Sequence, residues 1–141
     1  MEERLRNVLE AKQMKSLALA YIGDAVYELY VRKHLLETGQ VKPQMLHQQA
    51  VTFVSARGQA AVILHWLDND FLSEDEKRIV ARGRNAKSGS VPKNISIQTY
   101  RYSTACEALI GYHYISENEQ RLQELMQAAV TFITEGKIVD E

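Results

Sequence analysis

Two carboxylates stand alone in apolar runs. From Leu17 to Tyr27 the only charge among Leu, Ala, Ile, Val and Tyr is Asp24, and from Ala105 to Ile115 (ACEALIGYHYI) the only acid is Glu107. An ionised carboxylate on an apolar helix is costly unless a cation or hydrogen-bond donors meet it. Each run also holds a glycine, Gly23 beside the Asp and Gly111 one turn after the Glu. Glycine costs stability inside a helix, so its presence implies the close approach of another backbone or a ligand. Two buried helices of this kind can cross and share a hard divalent cation such as Mg²⁺ between their carboxylates. Each acid can equally pair with an arginine or cap a neighbouring helix, and spacing alone leaves both readings open.

The elements that must position these groups read as helices throughout. Residues 2–13 are helical in period, with Leu5, Val8 and Leu9 on one side. A central helix runs from about Leu17 to Leu36, with Ser16 as its cap and Thr38-Gly39 as its stop. Because it is apolar nearly all round, it is expected inside the protein. Pro43 suits the first turn of a third helix that bends or breaks around Ser55 to Gly58, and a further helix reaches Leu67 before the turn Asp68-Asn69-Asp70. Ser73-Glu74-Asp75-Glu76 spells a capping box for a short helix ending near Gly83. After a loop from Asn85 to Ile95, the second carboxylate helix spans about Gln98 to Ile115. Ser116-Glu117-Asn118-Glu119 is read as another capping box, opening a last helix that Gly136 closes. With no alternating strand pattern and no repeat, the expectation is an all-α fold of about seven helices in a single domain, residues 1–141.

Composition bounds the rest. A chain of 141 residues fits one domain and buries roughly two-thirds of its unfolded surface. No run is long enough to span a membrane, and the charged start MEERLRNVLEAK does not suit a secretory signal. The single cysteine, Cys106, excludes an internal disulfide, fits a reducing cytosol and is read as core. His34, His47, His65 and His113 lack metal-ligand spacing and are read as surface or satisfied core residues. Net charge is only −1, but residues 77–101 carry seven Lys and Arg and no acid. Such an island makes a local field suited to phosphates, and its Lys-, Gly- and Ser-rich part lets backbone amides approach an anion. Arg82, Arg84, Lys87 and Lys93 are the candidate contacts; the alternative is a solvated loop.

Taken together these stretches resemble a known family. YIGDAVYEL (Tyr21 to Leu29) resembles the FLGDAVLEL-type signature of ribonuclease III catalytic domains, ACEALIGYHYI resembles their DAFEALIGAIYL element, and Arg82-Gly83-Arg84 through Lys87-Ser88-Gly89 resembles the stretch between them. The resemblance covers residues 15 to 135 in order and spacing. With no double-stranded-RNA-binding domain expected after it, the chain resembles the compact Mini-ribonuclease III branch. The resemblance implies a ribonuclease III-like helical fold, a cytoplasmic homodimer, and Mg²⁺-dependent hydrolysis of phosphodiesters in double-stranded RNA. It further implies large-subunit (23S) ribosomal RNA precursor as substrate, a setting compatible with an accessory ribosomal protein that no stretch of sequence identifies. By position, Asp24 and Glu107 match the catalytic, metal-binding carboxylates, and Tyr21 matches an aromatic that inserts into the partner subunit. Glu28 also matches and is read as structural. Two further acids of the family pattern are replaced by Ala20 and Thr104. Those departures keep a second reading in view, a non-catalytic RNA-binding module of the same fold, and a third is a helical interaction protein whose two acids only pair with arginines.

Overall fold

In a computed structural model of the protein, residues 2–87 and 89–136 are described, with all their side chains except those of Arg4, Leu5 and Asn7. Ser88 and residues 137–141, within the expected loop and domain, lie outside the described residues, as does the side chain of Leu5. Seven helices make up the described structure: α1 (Glu2–Gln13), α2 (Ser16–Glu37), α3 (Pro43–Val54), α4 (Ala56–Asp68), α5 (Glu74–Asn85), α6 (Ile97–Ile115) and α7 (Glu119–Thr134). No strand occurs among the described residues.

The bundle is built around α6. Every residue from Ser103 to His113 except Glu107 is buried, and α6 packs against α2, α4 and α5 and more lightly against α1 and α7. A helix apolar on all sides needs partners on all sides. Its closest crossing is with α2. A Cβ added at Gly23 would overlap the Glu107 carbonyl oxygen, and one at Gly111 would overlap that of Leu19. The two helices therefore touch backbone to backbone, which no residue with a side chain permits. A similar contact seats α5, where a Cβ on Gly83 would lie 2.8 Å from the Ala105 Cα. Trp66, Tyr27, Leu19, Ile63, Leu109, Ile110, Leu122 and Leu125 fill the space between the helices. Truncating one of the leucines to Ala costs about 2–5 kcal/mol.

Local signals set several helix ends. Ser73 and Glu76 form the reciprocal capping box, Pro43 opens α3, and Ser55 both ends α3 and caps α4 by accepting from the Gly58 N–H. Gly39 and Gly136 take the positive φ that ends α2 and α7. Two cap expectations are corrected. Ser16 is already helical, and Lys15 at the N-cap of α2 offers no side-chain cap. Ser116 does not open α7: it is the C-cap of α6, followed by Glu117 at φ 58° and by an Asn118 N–H that donates to the His113 carbonyl. This left-handed stop consumes the residues that the capping-box reading needed.

Two further expectations change. Among the described side chains of α1 the fully buried one is Ala11, whereas Leu9 is exposed and Val8 half-buried. The central helix α2 is buried on one face only. Leu19, Ala20, Gly23, Val26, Tyr27, Val31 and Leu35 face the core, while Leu17, Tyr21, Leu29 and Leu36 project outward.

A polar cluster ties α5 to α6 and α7. Glu76, 3 % exposed, accepts from His113 Nε2 at 2.6 Å and from Arg121 at 2.9 Å through both Nε and Nη2. Burial alone would raise the Glu76 pKa, but the hydrogen bonds from His113, Arg121 and the Ser73 N–H outweigh it and hold the carboxyl well below its ordinary value. His113 is thus a satisfied core histidine, and Cys106 is fully buried, as its setting in the sequence implied.

Candidate active site

The α2–α6 crossing brings Asp24 and Glu107 together. Asp24 lies on the exposed side of α2 and Glu107 is half-buried on α6, with the two carboxyl groups within hydrogen-bonding reach. Burial first, then the hydrogen bond and negative charge of Asp24, push the Glu107 pKa up to about 8, and only the amide of Gln59 opposes them. Near neutrality the Glu107 carboxyl therefore favours its protonated form, because a second charge beside Asp24 in a half-buried site is costly. No Lys or Arg among the described residues pulls the Glu107 pKa down, so an arginine partner for Glu107 is not what the fold supplies.

Two acids brought together at a helix crossing, with no cation among the groups that shift the Glu107 pKa, fit a hard divalent cation. Asp24 and Glu107 would hold it. The other two positions of the family pattern add no ligand: Ala20 has none, and the Thr104 hydroxyl donates to the Tyr100 carbonyl at 3.1 Å. Glu28 is drawn off by Arg32 at 2.9 Å. Among the described residues no group of three or more His, Cys, Asp and Glu converges, so most of the shell would be water and substrate oxygen, as Mg²⁺ tolerates.

The basic candidates lie on α5 and in the segment that leads from it to α6. Gly83 seats α5 against Ala105, two residues before Glu107, and so places Arg82 and Arg84 beside the carboxylate helix. Arg82 is exposed, with its guanidinium donating to the Lys12 and Met14 carbonyls at 2.7 and 2.8 Å, which satisfies the end of α1. Arg84 is half-buried and bonds the Asn85 side chain, and Lys87 and Lys93 are exposed. Lys15, Ser16, Arg82, Asn85 and Lys87 line an open cleft of about 540 Å³ at the start of α2.

One residue of the site escaped the sequence reading. Gln59 of α4, 1 % exposed, sits beside Glu107. Its only signal was a lone amide within the otherwise apolar run QAAVILHW.

A helical bundle with two carboxylates meeting at its central crossing suits a nuclease domain, and comparison with known proteins agrees. The ribonuclease III domain family matches residues 17–118. The chain is 43 % identical over 124 residues to Mini-ribonuclease 3 of Enterococcus faecalis, covering 88 % of this chain and 94 % of that one. It is 50 % identical over 121 residues to Mini-ribonuclease 3 of Brevibacillus brevis, covering 86 % and 88 %. Among solved structures, a Fusobacterium nucleatum protein superposes with a TM-score of 0.75 at 28 % identity, covering 84 % of this chain and 93 % of that one. The chain belongs to the ribonuclease III family, in its Mini-ribonuclease 3 branch, and is an endoribonuclease. No helix among the described residues is long and apolar enough to cross a membrane.

Proposed function

We propose that the protein is a Mg²⁺-dependent cytoplasmic endoribonuclease that cleaves double-stranded RNA as a homodimer, with precursor of large-subunit (23S) ribosomal RNA as its substrate. The observation that carries the reading is the Asp24–Glu107 pair, two carboxyl groups that the α2–α6 crossing brings within hydrogen-bonding reach. When bound, a divalent cation supplies Lewis acidity toward the phosphoryl oxygens and lowers the pKa of the attacking water. Asp24, at the open side, and Glu107, set deeper, fix the position at which the scissile phosphate must sit. Arg84, Lys87 and Lys93, with the anchored and exposed Arg82, bind the RNA backbone by charge. A-form duplex is read by its shape and phosphates rather than by its base edges.

The exposed stripe of α2 supports the homodimer. Tyr21 is 84 % exposed, and Leu17, Leu29 and Leu36 continue the same face. An apolar stripe on the helix that also carries Asp24 suits a second copy of the chain, which would set two such sites in one assembly. Incubating the protein with an end-labelled RNA duplex in Mg²⁺ and in EDTA tests the reading. Cleavage in Mg²⁺, binding without cleavage in EDTA, and loss of cleavage in Asp24→Asn and Glu107→Gln are expected. Binding without cleavage in both conditions would leave only the RNA-binding module.

A further inference from the structure

We propose that Gln59 is a positioning residue: its buried amide, reaching in from α4, fixes the rotamer of the Glu107 carboxylate so that one oxygen faces the cation. The inference rests on the carboxylate-site reading above and adds to it a neutral residue that carries none of the ligands.

Gln59 is 1 % exposed, yet its Nε2 has no well-formed hydrogen bond to any described residue. A second buried donor, the Tyr27 hydroxyl, is likewise without a partner and lies within electrostatic reach of the same carboxyl. A native core rarely keeps such groups unless they serve a state in which they are satisfied. Packing does not call for glutamine here, since Met or Leu would fill comparable space without a stranded donor. The acceptor at hand is Glu107, on which the amide already acts by favouring its ionised form. As the protein folds, the Glu107 carboxyl lies within hydrogen-bonding reach of Asp24. Once a cation neutralises the pair, Glu107 is a full carboxylate with four lone-pair directions. An N–H donated from behind by Gln59 occupies one oxygen and leaves the other for the metal, as partners behind metal ligands commonly do. With no ligand at positions 20 and 104, a misplaced Glu107 would cost the site half of its protein oxygen donors.

The test uses the full chain, wild type and Gln59→Met, Gln59→Leu and Asp24→Asn, with Mg²⁺ and separately Mn²⁺ titrated by calorimetry and melting followed in EDTA. Both Gln59 variants should bind either metal roughly 10- to 100-fold more weakly. They should melt in EDTA at or above the wild-type temperature and bind duplex RNA in EDTA unchanged, with cleavage recovering as Mg²⁺ is raised. If both variants bind metal like wild type while Asp24→Asn does not, Gln59 has no positioning role and the carboxylate site stands. If wild type and Asp24→Asn bind metal alike, the site reading fails and takes the inference with it. Marked destabilisation of both variants in EDTA, with metal affinity intact at low temperature, would make Gln59 a packing residue only.

Discussion

Gly23 lies so close to Glu107 that a methyl group on its Cα would overlap the Glu107 carbonyl oxygen. The contact is backbone to backbone, so no rotamer change can relieve a larger residue. It also sets the depth at which Asp24, one residue on, meets the side chain of Glu107. Gly23→Ala should cost roughly 3 kcal/mol or more of stability, because helices must separate rather than side chains repack. Gly89, with nothing within 4 Å and no positive φ, is the control: Gly89→Ala should change stability by no more than about 0.5 kcal/mol. Urea denaturation of both variants decides it, since equal effects would mean that the crossing tolerates a side chain.

The acid pair makes the metal-free protein pH-sensitive. Unfolded, Glu107 ionises near 4.5; folded, it keeps its proton until about 8. Between those values the folded state binds more protons, so stability falls as pH rises, by at most about 1.4 kcal/mol per unit. Glu107→Gln should remove that slope. Asp24→Asn should flatten it only in part, because burial, the largest cause of the shift, remains. Denaturation midpoints in EDTA at pH 5, 6.5 and 8 give the comparison, and added Mg²⁺ should restore wild-type stability at the high end alone.

Glu76 behaves in the opposite sense. Its pKa is lowered in the folded protein, so the stability it contributes is present above its ordinary value of 4.5 and is lost as pH falls below it. Glu76→Ala removes a cap and strands Arg121 and His113, at a cost of about 3–5 kcal/mol at neutral pH. The penalty measured by denaturation should shrink below pH 4, where wild type itself weakens.

The basic residues should separate into two behaviours. Arg84, Lys87 and Lys93 to Ala should leave stability unchanged and flatten the log-affinity against log-salt slope for duplex RNA by roughly 0.7–0.9 for each phosphate no longer neutralised. Arg82→Ala should in addition lower stability by about 1 kcal/mol, because its guanidinium satisfies the Lys12 and Met14 carbonyls. Salt titrations paired with melting curves resolve the two. An unchanged slope in the triple variant would make the island a solvated loop.

Tyr21 is 84 % exposed, so Tyr21→Ala should leave monomer stability intact while weakening self-association and lowering activity at dilute protein. Sedimentation against concentration tests the first effect. In a mixed dimer of wild type and Asp24→Asn, one strand of an end-labelled duplex should be nicked; cleavage of both strands in one binding event would overturn the paired-site arrangement.

What the sequence determined by itself was what neighbours along the chain encode. The Ser73–Glu76 box, Pro43, Gly39 and Gly136 place helix ends through groups a few residues apart, and apolar runs interrupted by Asp24 and Glu107, each with its glycine, marked the crossing. A glycine can announce that something approaches closely, but only the packing of α2 on α6 decided that the neighbour of Gly23 is the backbone of Glu107. Tertiary structure likewise decided which side of the apolar α2 faces outward, since that depends on where α3, α6 and α7 pack rather than on α2 itself. Ser116 had the composition of a cap, yet a left-handed Glu117 turned it into the end of α6. Gln59 meets Glu107 across 48 positions of chain and Arg82 meets Met14 across 68, and such partners are chosen by helix packing, which no local pattern spells.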